Sequence, residues 1–416
     1  MVASPITLAP ARAVVSRELF AFVLGALLFA RVQAGGTFFL PEIVLIFSIP
    51  ALYLERGREP IDRRIAIALV LGVVWLWAQV FSDIYRESAL HDYSRGWANI
   101  TFTLANLFAL ALLLRCERRM LVAYGWGLVV GFFLEYLITP SLLAQGEAWK
   151  FGLSMPVTLG VALLASRPRY LASFVPTFAL VGIGVVNLVL GFRSLAGVCV
   201  LAGVYCAAQR HATRNGLRPI PFSFRRALVV GGVGLILSYA VVGIYGRYAS
   251  SGALGTRAAA TYTAEAGGLG LLINGRAENY GSWLAIRDSP LVGWGSWAHG
   301  QRFVDATRNA VAPRPYTQLD DTIPVHSHLF WAWVDAGLFG TLIWFFAIGL
   351  AIRVAATLYR TSEPLTPLIS FVTTLFLWDV FFSPYGAERR LLTPYYLILF
   401  VFALRKSAEG LAEDTA

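Results

Sequence analysis

Charge is what this 416-residue chain has least of. Asp, Glu, Lys and Arg make up 14% of it and hydrophobic residues 57%, where a soluble domain carries roughly a quarter charged residues and about half apolar ones. So little polar side chain cannot clothe a water-soluble fold of this size, and the composition is that of an integral membrane protein. Cysteine is nearly absent as well. The three present, Cys116, Cys199 and Cys206, fall in or beside apolar segments with no ligand-like spacing, which excludes a disulfide framework and a zinc site. No HExxH, GxSxG, P-loop or Rossmann fingerprint occurs, no internal repeat is visible, and no Ser- or Gly-rich linker marks a second domain.

What the chain does have is long apolar stretches. Several reach the ~20 residues that carry a helix across ~30 Å of hydrocarbon. Divided at charge clusters, Pro and Gly, they give twelve candidate spans: 18–34, 37–54, 65–84, 97–114, 120–138, 151–166, 170–190, 193–208, 227–246, 329–352, 365–384 and 391–404. The first reads as a retained signal anchor. With the N-terminus inside, twenty of the 34 Lys and Arg fall in segments on the cytoplasmic side, and seven of the other fourteen sit in one long loop, 247–328. The positive-inside rule exempts long loops, so both termini are expected in the cytoplasm of a bacterial inner membrane and the loop in the periplasm. The net charge of +10 is then a topology signal, and nucleic acid is not an expected partner. The cytoplasmic loops are too short for a nucleotide domain. The expected fold is all-α and polytopic: a bundle of nine spans over 1–246, a periplasmic loop with short helices over 247–328, and three last spans with a cytoplasmic tail over 329–416.

Within the loop, "NGRAENYGSWLAIRDSPLVGWG" (274–295) reads as a turn, a short helix and a Pro/Gly stop, with Arg276, Tyr280, Trp283 and Arg287 on one helical face. Such a face suits the membrane interface. Ionisable residues at membrane depth are expensive and so are candidates for function. Glu42, Asp83, Glu135, Asp335 and Asp379 all lie toward the outer ends of spans, either lining a polar cavity that opens outward or sitting at the interface. Arg193 stands at the outer junction of two spans, where its guanidinium either reaches lipid headgroups or grips an anion; its planar fork of donors suits phosphate and pyrophosphate oxygens. Arg276, at the start of the loop helix, could form a phosphate site with the backbone N–H groups there, or simply cap the helix in solvent. His326 and His328 stand where the loop re-enters the membrane. Two apart on a continuous helix, they would point ~200° from each other, so one is expected to be functional and the other structural. Histidine is the side chain suited to taking a proton near neutral pH, although an interfacial histidine bonded to a backbone carbonyl is the plainer reading. His328 and Asp335 share a face, and the expectation is that they pack together. The acidic pair Asp320–Asp321 reads as a solvated turn sooner than a metal site.

"HSHLFWAWVDAGLFG" sets a His, a Ser, nine residues and then Gly337, with Gly340 beyond. It resembles the H-[NSQ]-x9-G motif of the O-antigen ligase family, which includes O-antigen polymerases and O-linked oligosaccharyltransferases. About twelve spans, a large loop just before the motif, Arg193 at a span entrance and Arg276 in an "R…W…PLxGxG"-like segment extend the likeness over the C-terminal half. The resemblance implies a GT-C-like membrane glycosyltransferase. Its donor would be a glycan on undecaprenyl pyrophosphate and its acceptor a sugar hydroxyl of lipid A-core, at the periplasmic face of a membrane whose lipids surround it. It implies His326 as general base and Arg193 with Arg276 on the pyrophosphate, with Arg287, Arg389, His328 and Asp335 in support, no cofactor and no metal. Within the family the ligase fits the motif best, ahead of a polymerase or a protein O-oligosaccharyltransferase. A lipid-linked glycan transporter is the reading from another class, and it would call for broken helices in paired repeats. Gly337 and Gly340 are expected to let their helix approach another closely.

Overall fold

A computed structural model describes residues 11–57, 59–215, 243, 246–253, 255, 256, 259, 262, 278–310, 320–358 and 363–413, with side chains from residue 17 to residue 409. Helix dominates. α1 (Ala11–Ala26) runs through a 3-10 turn (Leu27–Phe29) into a hairpin of β1 (Arg31–Gln33) and β2 (Thr37–Phe39), antiparallel with Arg31 opposite Phe39. There follow α2 (Leu40–Arg56), α3 (Arg63–Arg86), α4 (Leu90–Leu114), α5 (Arg118–Ile138), the short α6 (Leu142–Gly146), α7 (Ser154–Ala165) entered by a π turn at Trp149–Leu153, α8 (Val175–Val189) and α9 (Arg193–Arg214). In the loop lie α10 (Glu278–Asp288) and α11 (Gln301–Ala310), and then come α12 (His328–Gly340), α13 (Leu342–Thr357), α14 (Thr366–Phe382) and α15 (Arg389–Glu413).

Among the described residues α3, α4, α5 and residues Arg389–Glu409 of α15 are each long and apolar enough to cross a membrane, and α12 with α13 is so only as a bent pair, a broken span or a re-entrant loop. The inside-out character of α3 shows what solvent it is built for. It turns Trp77, Phe81 and Ile84 outward and buries Gln79, Ser82 and Asp83, the reverse of a helix packed in a soluble protein. α15 is the central helix, apolar on every face, packed against α4, α13 and α14.

Two of the expected spans take a different form. The run 18–34 stops being helical at Phe29, because Gly35, at φ +67, turns the chain into the hairpin. The run 329–352 is two helices bent by 108°, with Gly337 at φ 66 and ψ −162 inside the break. The expected segment 227–246 lies almost wholly outside the described residues.

Side-chain pairs tie each end of the bundle. At one end, which collects most of the arginines, Arg118 grips Glu363 through two bonds of 2.9 and 2.8 Å, Arg405 bonds Asp62 at 2.7 Å, and Arg17 and Arg115 both reach Glu55. At the opposite end, which carries the loop, buried Glu42 holds Arg390 at 2.8 and 2.7 Å and Asn106 at 3.1 Å, and also accepts the Phe39 N–H that opens α2.

α1 and α5 cross backbone to backbone. A Cβ on Gly127 would stand 2.1 Å from the Phe22 carbonyl oxygen, and one on Gly131 2.4 Å from that of Gly25. Gly127→Leu must therefore push the two helices apart, at a cost of about 1–3 kcal/mol. The expected outcome is a lower melting temperature of the detergent-solubilised protein; an unchanged one would mean that this crossing contributes nothing.

Candidate functional site

Separate parts of the chain meet at the loop end of α14. Ser327 donates its hydroxyl to the Val380 carbonyl at 2.7 Å and accepts the Phe330 N–H at 3.1 Å, so one side chain both caps α12 and fastens its start to α14. His326, the residue before it, is half-buried in non-helical chain. Asn279, in the first turn of α10, donates to the Phe381 carbonyl at 3.2 Å. Arg389, opening α15, pairs with Asp379, whose carboxylate is buried. Arg193 reaches the same height by register. α9 and α14 run antiparallel, with Cys206 against Ser370 at 3.5 Å and Gln209 against Thr366 at 3.3 Å. Continued along both helices, that pairing sets Arg193 level with residues 382 and 383.

Beside this end the break in α12 is filled by the loop itself. Trp294 and Gly295 donate their N–H groups to the Val334 and Asp335 carbonyls at 2.6 and 3.0 Å, while Leu338 donates to the Pro290 carbonyl at 3.0 Å. The backbone groups that a kinked helix leaves without partners are thus satisfied by the segment "SPLVGWG". The approach is close enough to require glycine on both sides. A Cβ on Gly337 would lie 2.0 Å from the Leu291 carbonyl oxygen, and one on Gly293, at φ +83, 2.6 Å from the Gly337 nitrogen. Asp83 clamps the far side of the segment. Its carboxylate accepts the Ser296 N–H at 2.6 Å, the Ser296 hydroxyl at 2.7 Å and the Trp97 indole N–H at 2.7 Å, and it forms no ion pair with any described residue. Arg86 completes the clamp, donating to the Gly293 carbonyl at 3.0 Å and to Ser289 at 2.7 Å with its guanidinium over the Trp294 ring.

Several expectations from the sequence need correction. His328 does not pack with Asp335. Seven residues of helix separate them by ~10 Å along the axis; the His328 ring instead lies 5.3 Å from the Trp344 ring and 5.1 Å from that of Tyr385, whereas Asp335 interacts with Trp297, Trp331 and the charge of Asp83. The buried outer acids do not line an open cavity either: Glu42, Asp83 and Asp379 are taken up by partners inside the protein. Gly337 meets the loop rather than a helix, although Gly340 does face Trp75 of α3. Tyr280, Trp283 and Arg287 share the exposed face of α10 as expected, which puts Arg287 ~12 Å along that helix from Asn279 with Asp288 as its partner. Arg276 lies outside the described residues.

Ser327 figured in the sequence reading only as a motif position, its bond to α14 unseen, and Asn279 and Arg390 escaped it, being single polar residues whose partners are remote in the chain. So did His299, whose Nδ1 lies 2.6 Å from Asp321 and whose Nε2 lies 3.9 Å from Asp92 of α4. The acidic pair is therefore not merely a solvated turn. Among the described residues no three His, Cys, Asp or Glu side chains converge as a metal site requires. No protein-family model matches this chain, and no curated protein sequence matches it.

Asp83→Ala leaves the two Ser296 donors, the Trp97 indole and the Gln79 amide without their acceptor in a buried place. At ~1.5–3 kcal/mol for a hydrogen bond to a charged group, the loss should be at least ~3 kcal/mol, together with new protease cleavage between residues 289 and 300; a variant as resistant as wild type would remove Asp83 from this role. The His299 hydrogen bond holds the Asp321 carboxyl below the usual range. A depressed folded value means that the contact stabilises above the ordinary Asp pKa of ~3.9 and is lost as pH falls through the depressed one. Amide exchange at Gly300 and Ile323, which bond across this junction, should accelerate in acid below ~4 in wild type and show no such step in Asp321→Asn.

Proposed function

We propose that this chain is a membrane glycosyltransferase of the O-antigen ligase type, with twelve spans in the bacterial inner membrane, both termini in the cytoplasm and residues 247–328 in the periplasm. Its reaction moves a glycan from undecaprenyl pyrophosphate to a sugar hydroxyl of lipid A-core. The observation that carries this reading is the meeting at the loop end of α14, where the His326–Ser327 segment, the start of α10, Arg389 and the height of Arg193 coincide. A lipid-linked donor presents its pyrophosphate at that depth.

In the proposed reaction His326 accepts the proton of the acceptor hydroxyl as its oxygen attacks the anomeric carbon. The bond from that carbon to the pyrophosphate oxygen breaks, the electron pair leaves with the pyrophosphate, and the configuration inverts. Arg193, and Arg276 three residues before Asn279, would stabilise the charge that develops on the leaving group, the largest contribution such a step needs. Arg389 is committed to Asp379 and acts as a positioning residue for the end of α14; Ser327 does the same for His326. His328 and Asp335 fall to packing and loop attachment, and Arg287 to the exposed face of α10. The donor carries its own energy in the pyrophosphate linkage, so the scheme calls for neither nucleotide nor metal.

The broken helix favours one other reading, a lipid-linked glycan transporter, since transporters bind at such breaks. Here the protein's own residues 290–295 occupy the break, and a substrate would have to displace them.

The test is transfer in reconstituted membranes supplied with lipid-linked glycan and lipid A-core. Wild type should yield the glycosylated acceptor, and His326→Ala should retain folding and donor binding while losing ~10²–10⁴ in rate. Transfer by His326→Ala at the wild-type rate ends the assignment of the base. Glycan that crosses the bilayer chemically unchanged identifies a transporter, and growth of a second lipid-linked glycan in place of lipid A-core identifies a polymerase.

A further inference from the structure

At the opposite, arginine-rich end, the entries of α8 and α14 and the last turns of α9 enclose a cleft lined by Ser173, Thr177, Gln209, Arg210, Glu363 and Thr366. The Arg210 guanidinium lies 3.8 Å over the ring of Phe174. Its Nε and Nη1 are buried and have no hydrogen-bond partner among the described residues. Arginine cannot shed its proton to escape that cost, and a group left so calls for a missing acceptor. Glu363 is not that acceptor. Its two oxygens are taken by Arg118 at 2.9 and 2.8 Å, and one of them also caps the Leu365 N–H at 3.2 Å. Thr177 and Gln209 bring only neutral hydroxyl and amide groups to the cleft. An oxyanion with several acceptor oxygens fits the two open nitrogens, because a guanidinium fork matches phosphate geometry.

The outer rim of the cleft adds a second requirement. Leu171, Phe174 and Val175 are 42%, 45% and 42% exposed, and Phe178, one turn along α8, is 71% exposed. Phe174 and Phe178 lie along one face, their rings 6.3 Å apart and inclined by 57°. A cationic cleft that opens onto an apolar stripe is complementary to a molecule with a phosphate head and hydrocarbon tails. We propose that this cleft binds the headgroup phosphate of an anionic phospholipid, with Arg210 on the phosphate and the acyl chains along the Phe174–Phe178 face. The site is independent of the transfer reaction, lying at the other end of the bundle from His326.

The test measures the melting temperature of the full chain, by tryptophan fluorescence in zwitterionic detergent micelles, with phosphatidylglycerol, phosphatidylcholine or inorganic phosphate added. A ligand of the folded state raises the melting temperature with concentration. Wild type should respond to phosphatidylglycerol and to neither of the others, and Arg210→Met should need at least about tenfold more of it for the same shift, or fail to respond. Ser173→Asp guards against a variant that does not fold. Its carboxylate can still accept the Val175 N–H that Ser173 accepts at 3.3 Å, and it supplies the cleft with an internal anion. It should be stable without lipid and unresponsive to phosphatidylglycerol. The proposal fails if Ser173→Asp responds as wild type does, or if inorganic phosphate alone reproduces the full shift, since the ligand would then be a free anion.

Discussion

The carboxylate of Asp83 sits on α3 with no ion pair to any described residue, and its charge is met by the donors of one loop segment, one indole and the Gln79 amide. In a bundle surrounded by hydrocarbon there is little water to take over those bonds, so each unsatisfied group costs far more than it would at a soluble surface. The segment around Ser296 is thereby fixed, and with it residues 289–295, which fill the break in α12. Once the break is filled, the bend of 108° between α12 and α13 is set. The start of α12, with His326 and Ser327, is presented to the end of α14. The position of the candidate base thus depends on a hydrogen bond made more than two hundred residues earlier in the chain.

The same logic runs through both ends of the bundle. The ring of partners around Glu42 joins α2, α4 and α15, three helices far apart in sequence, through one carboxylate. Removing one member of such a group leaves the others buried without partners, which is more costly than never having had the group. The apolar contacts between helices permit many arrangements, because lipid tails solvate leucine as well as another helix does. The polar hubs, together with close crossings such as Gly127 against Phe22, select one.

The two proposed sites divide by side. At the loop end the buried acids Glu42, Asp83, Asp335 and Asp379 all have partners within the protein, and the proposed transfer site lies beside them. At the arginine-rich end Arg17, Arg115, Arg118 and Arg405 are paired with carboxylates, and Arg210 keeps two buried nitrogens open in a cleft.

What the sequence determines by itself is the class of the molecule: the low charge, the spacing of apolar runs and the arginine clusters declare a helical membrane protein, and "NGRAENYGSWLAIRDSPLVGWG" declares its short helix and stop. These are local properties, fixed by composition and by the 3.6-residue period. The sequence also singles out Asp83, Glu42 and Asp379 as costly acids, without revealing that their partners are Ser296, Arg390 and Arg389. Partner choice is a matter of tertiary structure, because a buried carboxylate is satisfied by whichever donor the packing brings within ~3 Å, however distant in the chain. The bend at Gly337 was decided in the same way. A glycine permits a positive φ but does not require one, and only the loop backbone seated against it made the helix break there.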